Sequence, residues 1–414
     1  MRKGSYFLWV LYDFANSLAL VNVAFYFSLW LVSDHGFSDF WVSFATIVST
    51  LLLIFSLPTL ARRADRSSQR MRFLSLFSLL AIASLAALGI LAMKLPFTQN
   101  LGFIVLFFYF LFQFFFQGSF AFYDSFVRDI ADKNPSEQVS AMGMGFGQLG
   151  NIVGVLLILP VAEGKIEIFG ETGRPATFLA AALLFFIFVL PVLIFLKDPK
   201  HAEIPEKQSR STSSFKKIFK IKGLFPYLLS YYFFADAILT LQLFLGLYLE
   251  ETLGMDDREK TMVIVIALVF GCIGAWLAPL FARLVKSTRR ALHLLIGSWA
   301  VLLGVYSMVT NPTLFYILIV FNGLAFGALF SLSRSYYAKI TPSNEQAEFF
   351  SIYSLFERAS SILGPLVWSS TVLLFASQGA DKYRFAMFSL AILVMISFVI
   401  FFKVPNETSH EKMC

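Results

Sequence analysis

Apolar residues run in stretches of about 20 or more along almost the whole chain, separated by short clusters of charged, Gly and Pro positions. Such runs suit α-helices crossing a hydrocarbon core about 30 Å thick at about 1.5 Å per residue. They are too long, and alternate too little, for the strands of an outer-membrane barrel. Reading each break as a loop predicts twelve spans, at about 7–32, 40–60, 73–93, 101–124, 140–162, 176–196, 224–249, 261–284, 291–310, 313–337, 349–376 and 384–402. The first run follows Arg2 and Lys3 as a secretory signal would. It is too long for one, contains Asp13 and Asn16, and no small-x-small cleavage site follows, so it is read as an uncleaved span.

Composition agrees and removes the other classes. Of 414 residues 58% are hydrophobic and 14% charged, which leaves too little polar surface for a water-facing exterior. Fifty Phe against 24 Gly and 14 Pro excludes disorder and collagen-like repeats. Cys272 sits in an apolar run and Cys414 is terminal, while His35, His201, His293 and His410 are scattered, so no disulfide framework, metal site or cofactor is expected. The net charge of +7 is read as cytoplasmic loops and not as a nucleic-acid surface, because the basic residues flank apolar runs. With the N-terminus inside, the cytoplasmic side carries 24 Lys and Arg and the opposite side 7. Both termini are therefore expected in the cytoplasm of a cell whose inner membrane holds the protein.

The segment 197–223 (KDPKHAEIPEKQSRSTSSFKKIFKIKG) is Ser-, Lys- and Pro-rich and divides the chain into an N-terminal bundle, 1–196, and a C-terminal bundle, 224–403, with a tail at 404–414. Its basic end, FKKIFKIK, suits an anionic leaflet surface. Six spans in each half start from the same side, so a duplication here is a parallel one. Three weak echoes in order favour it: PTLAR at 58–62 and PLFAR at 279–283, Asp13 and Asp236, and NPSEQ at 134–138 against TPSNEQ at 341–346. The fold class is thus all-α membrane protein, twelve helices in two parallel six-helix repeats. This layout resembles the major facilitator superfamily.

Local motifs carry the resemblance further. The run 58–72 (PTLARRADRSSQRMR) is similar to the facilitator signature after the second span, with Asp65-Arg66, Arg70 and Arg72 in place and Ala61 and Ser68 where that pattern has Gly. Tyr12-Asp13-Phe14-Ala15-Asn16-Ser17, Ser333-Arg334-Ser335, the run EFFSIY at 348–353 and Ile362-Leu363-Gly364-Pro365 together resemble the vacuole-effluxer-like branch. Tyr123-Asp124 stands where that branch has Tyr-Asn. The resemblance implies a transporter, and for the eukaryotic members export of amino acids from the vacuole. The short loops resemble the bacterial members.

An ionised side chain at the centre of a lipid-embedded helix costs about 2.5–3.5 kcal/mol on the most lenient scale, so charges within spans mark a cavity or a partner. They are Asp13, Asp124, Asp236, Arg334, Glu357 and Arg358; spans 3, 6, 9 and 12 carry none in their cores. In the facilitator layout spans 1, 4, 7 and 10 line a central cavity, and each holds one. Helical spacing extends these into stripes. Asp13 and Ser17 share a face with Asn16 beside it; Gln113, Gln117, Asp124 and Arg128 share another; Tyr232, Asp236 and Thr240 a third; Ser354, Glu357, Ser361 and Pro365 a fourth.

Depth separates two roles. Asp236 falls near the midplane, and with Asp13, Asn16, Gln113, Gln117, Tyr232 and Thr240 forms the candidate substrate or proton site; a structural role, bonded to backbone or Tyr hydroxyls, is the alternative for Asp236. Asp65, Arg66, Asp124, Arg128, Arg334, Glu357 and Arg358 lie near cytoplasmic ends and are read as an ion-pair gate. Gly145, Gly147 and Gly150 spell a G-x-G-x-x-G, but no strand precedes them; with Gly143 and Gly154 they read as close helix packing. The expectation is a monomeric secondary transporter of a small solute, with the bilayer and a coupling proton as its other partners. Alternatives are a proton-driven exporter of drug-like or lipid-like compounds and a transport-inactive sensor on the same fold. No nucleophile elbow or His-Glu-x-x-His supports an enzyme.

Overall fold

A computed structural model describes residues 3–66, 69–126, 136–197, 218–342 and 346–405. They are helical almost throughout. Helix α1 (Lys3–Ser28) runs on through a π-helical turn, Leu29–Asp34, and is followed by α2 (Asp39–Arg66), α3 (Arg70–Lys94), α4 (Gln99–Ser125), α5 (Ser136–Ala162) and α6 (Arg174–Phe195). Then come α7 (Leu224–Leu253), α8 (Asp257–Leu284), α9 (Thr288–Tyr306), α10 (Pro312–Ile340), α11 (Gln346–Ala359), α12 (Leu363–Leu374) and α13 (Asp381–Phe401).

Among the described residues ten helices are long and apolar enough to cross a membrane; α9 and the pair α11 and α12 fall outside those ten. Large apolar side chains stand proud of the helices, with Trp276 81% and Phe55 77% exposed. Such surface is costly in water and costs nothing against acyl chains. The chain is an all-helical, multi-pass integral membrane protein. Burial differs sharply among the spans: 78% of the apolar windows of α1 and α7 is buried, against 22% for α8.

The chain divides into two compact units. The first comprises Met1–Ile204 with Leu243–Leu247 and Asp256–Met262, the second Pro205–Gln242, Tyr248–Met255 and Val263–Cys414. In the first, α1 lies against α5 and α6, α3 against α4 and α6, and α2 against α4. The glycines of α5 explain the closest of these contacts. A Cβ on Gly150 would strike the Phe14 carbonyl, and one on Gly154 would come within 2.7 Å of the Leu18 carbonyl. Gly147 faces Ser17 and Asp13, whereas Gly145 has nothing within 4 Å and takes no part. In the second unit α9 packs on α10 and α13, and α12 on α13. Two arginines tie helix ends there: Arg384 donates to the Thr252, Ser307 and Val309 carbonyls, and Arg289 to those of Phe402 and Val404. Both use cations where a helix leaves carbonyls without intrahelical donors.

Two expectations need correction. The span read as continuous over 349–376 is two helices with a break at 360–362, so Ser354, Glu357, Ser361 and Pro365 do not share one helical face. The reason is local: Pro365 sits three residues into α12, has no N–H, and its ring excludes the carbonyl four residues back. The first span does not end near 32 as an α-helix but widens to a π-helical turn at Leu29, which shifts the facing of everything up to Asp34. Most of the segment 197–223 lies outside the described residues.

Candidate functional site

In the second unit the stripe predicted on α7 converges on one place, the start of α12. Asp236 is fully buried, and its Oδ2 accepts from the Gly364 N–H at 2.6 Å. The amides of Leu363 and Ile362 face the same carboxylate, and the Leu363 amide also faces the Tyr232 hydroxyl. Thr240 donates to the Asp236 carbonyl at 2.7 Å, one turn along. Oδ1 of Asp236 makes no hydrogen bond among the described residues. Tyr232, Asp236 and Thr240 are thus brought together as the spacing predicted, around a helix break that it did not predict.

In the first unit Asp13 and Ser17 of α1 face Gly147 of α5, where a Cβ would lie 3.2 Å from Asp13 Oδ2 and 3.1 Å from Ser17 Oγ. Asn16 is fully buried, and neither end of its amide has a partner among the described residues. A turn earlier, Tyr12 hydrogen-bonds Ser78 at 2.7 Å and its ring stacks on Tyr123, which also stacks on Trp9. On α4, Gln113 donates to the Tyr109 hydroxyl at 2.8 Å, which meets Thr46 of α2 at 3.3 Å. Gln117 stands one turn further along, half-buried.

Of the predicted gate, Arg334 and Glu357 are exposed and Arg358 is half-buried, all in the second unit. Beside them in the same unit the rings of Tyr231 and Tyr353 are buried 4.5 Å apart. Tyr231 was not among the predicted site residues, and its signal was the four-residue spacing from Tyr227 on α7; Tyr353 closes the EFFSIY run at 348–353. The side chains of Asp65, Arg66 and Asp124, and all of Arg128, lie outside the described residues.

A second charged group went unpredicted. In the first unit Arg174, at the start of α6, binds Asp257 through Nε and Nη2 at 3.1 and 2.9 Å and Asp34 through Nη1 at 2.6 Å. Lys260, whose side chain is fully buried, completes it at 2.7 Å from Asp257. These charges sit at span ends, where the loop count treated them as topology signals. Opposite signs at three span ends on one predicted side were the available clue. Nearby in sequence, His35 stacks flat on Phe97 at 3.8 Å, and burial lowers its pKa below the usual imidazole value.

The fold has solved counterparts. A mutant form of the nucleoside transporter NupG superposes with a TM-score of 0.76 over 96% of this chain and 99% of its own, at 14% identity. In sequence, the "Uncharacterized MFS-type transporter YxiO" of Bacillus subtilis (strain 168) is 28% identical over 97% of this chain and 95% of its own length. The class of fold is thus that of a solved membrane transporter, and a relative similar over nearly the whole chain is named as a transporter of the major facilitator (MFS) type. Residues 41–413 match the family described as "Vacuole effluxer Atg22 like", and the chain belongs to that family. Autophagy-related protein 22 of Yarrowia lipolytica (strain CLIB 122 / E 150) is 24% identical over 67% of this chain, which is 52% of that protein's length.

Proposed function

We propose that the protein moves a small zwitterionic solute of the amino-acid class by alternating access, with proton uptake at a carboxylate of the α1 or α7 stripe supplying the driving force. In this reading α9 and the broken pair α11 and α12 provide the remaining two of twelve crossings, both termini lie in the cytoplasm, and the protein works as a monomer in a bacterial inner membrane. The gate is built from Asp65, Arg66, Asp124, Arg128, Arg334, Glu357 and Arg358. Their carboxylates pair when the cytoplasmic side closes and hydrate when it opens, which biases a two-state equilibrium.

One observation carries the solute site: the Asn16 amide, buried with donor and acceptor both unpartnered three residues from Asp13. An unsatisfied buried polar group costs about 1–3 kcal/mol, a penalty removed if a solute's polar groups bind there. An amide offers both a donor and an acceptor, as an amino acid's carboxylate and ammonium require. The amino-acid class itself comes from the family resemblance.

The direct test is proteoliposome counterflow with the twenty amino acids, a set of nucleosides and a set of hexoses, with and without an imposed proton gradient. Exchange of amino acids, raised by the gradient, is expected; exchange confined to nucleosides or hexoses overturns the substrate class. Asn16→Leu gives a second reading. Replacing an orphaned amide by an apolar group of similar size should leave the thermal midpoint unchanged or raise it. Meanwhile flux at low solute concentration should fall about tenfold or more, equivalent to about 1.4 kcal/mol of lost binding. A variant that loses stability and keeps flux would assign Asn16 to packing.

A further inference from the structure

We infer that Asp236 is a positioning residue: its carboxylate, supplied from α7, caps the start of α12 and holds the break between α11 and α12, and the coupling proton is not carried there. This assignment rests on the transport reading above and chooses between the two stripes it left open.

Helix α12 has no side-chain cap of its own. The first amides of a helix have no carbonyl within the helix, and a side chain at the N-cap position ordinarily accepts from one of them. Here that position is Ile362, which has no acceptor, and the side-chain cap is absent. At the helix start Gly364, Pro365 and Ser360 are buried, while Ile362 and Leu363 are half-buried. The Gly364 amide, on a buried residue, therefore needs an acceptor from the protein and not from water.

Asp236 meets that need from another helix. Oδ2 takes the Gly364 N–H, and the Leu363 and Ile362 amides face the same group. Tyr232, one turn before Asp236, is a titratable side chain beside it. When ionised, this carboxylate stands at the positive end of the α12 dipole. Gly364 makes the approach possible, since a Cβ there would collide with Thr240 Oγ1 and lie 2.8 Å from the Asp236 carbonyl.

The first unit supplies the contrast. Asp13 and Ser17 have the same spacing as Asp236 and Thr240, and Gly147 faces them as Gly364 faces the others. Yet α5 runs unbroken through Gly147, from Ser136 to Ala162. Its amides at that level are bonded within the helix, so there is no helix start for Asp13 to cap. Asp13 is also half-exposed, whereas Asp236 is fully buried. An Asp with a hydroxyl residue one turn on thus meets a helix start in one unit and an unbroken helix in the other.

The test uses the full-length protein with Asp236→Asn and Asp236→Leu. Each variant is followed by thermal unfolding in detergent and by proteoliposome flux of an equimolar mixture of the twenty radiolabelled amino acids, as proton-driven uptake and as counterflow. Asn retains an accepting oxygen and should rescue what Leu loses. Asp236→Asn should unfold near the wild-type temperature and keep at least about half of both fluxes, with their ratio unchanged. Asp236→Leu should unfold at a lower temperature and lose both fluxes together. If Asp236→Asn is as stable as wild type, keeps counterflow and loses only the driven component, Asp236 is the coupling group and the inference is overturned. Equal destabilisation by Asn and Leu also overturns it. A wild-type protein without proton-driven uptake removes the coupling in the transport reading, while the order of stabilities still decides the role of Asp236.

Discussion

Gly327→Ala should prevent the second unit from folding normally, with little protein surviving detergent extraction in a monodisperse form. A Cβ at Gly327 of α10 would be driven into the Gly271 carbonyl of α8 and would lie 2.6 Å from the Ala275 amide nitrogen. Both are backbone atoms of a regular helix and cannot turn aside as a side-chain end could. Gly274 and Gly323 line the same contact; a Cβ on Gly323 would come within 2.6 Å of the Ala267 carbonyl. Overpacking typically costs about 1–3 kcal/mol, and a collision with backbone falls at or beyond the upper end. Gly304→Ala is the control, because nothing lies within 4 Å of a Cβ there. It should extract and unfold like wild type, or slightly better, since alanine is the stronger helix former. Equal yields and unfolding midpoints for the two variants would show that α8 and α10 do not meet this closely.

Removing the Asp257 carboxylate is the other substitution expected to have a large effect. Asp257 receives two bonds from Arg174 and one from Lys260; the Lys260 side chain is fully buried, and those of Arg174 and Asp257 are 14% and 15% exposed. Truncating one member of a buried pair costs about 3–5 kcal/mol, because the opposite charge keeps its desolvation penalty and loses its partner. Asp257→Ala should therefore lower the thermal midpoint markedly, and adding Lys260→Met should recover part of the loss. Asp34 touches the same arginine but is 36% exposed, so Asp34→Ala should cost no more than about 1 kcal/mol. The two single variants and the double, measured by thermal unfolding at one ionic strength, give the ordering. If Asp34→Ala proves as harmful as Asp257→Ala, burial does not govern this cluster.

The candidate site was legible in the sequence to the extent that helical period and hydropathy govern it. Asp236 stood out because an acid deep in an apolar run has few explanations, and the four-residue spacing correctly put Tyr232 and Thr240 beside it. What that acid touches was not legible. Its partner, the Gly364 amide, is 128 residues away in sequence and available only because the chain breaks between α11 and α12. Pro365 was a visible cue to that break. Yet Pro160, Pro191 and Pro279 lie inside helices that continue, so proline by itself does not decide. The Arg174 cluster escaped notice for a different reason. A charge at a span end is expected on topological grounds, and nothing in a linear pattern tells a hydrated loop arginine from one holding two carboxylates.

Length and polarity of the apolar runs were enough to define a helical membrane protein, because no other secondary structure of that length satisfies its own backbone in lipid. The order of motifs along the chain likewise carried the family, since those residues are read one after another. Which glycines allow helices to touch, which acid caps which helix and which buried amide is left without a partner were decided by folding. Each depends on two segments far apart in sequence meeting within about 3 Å, a distance over which one turn of helix changes the answer.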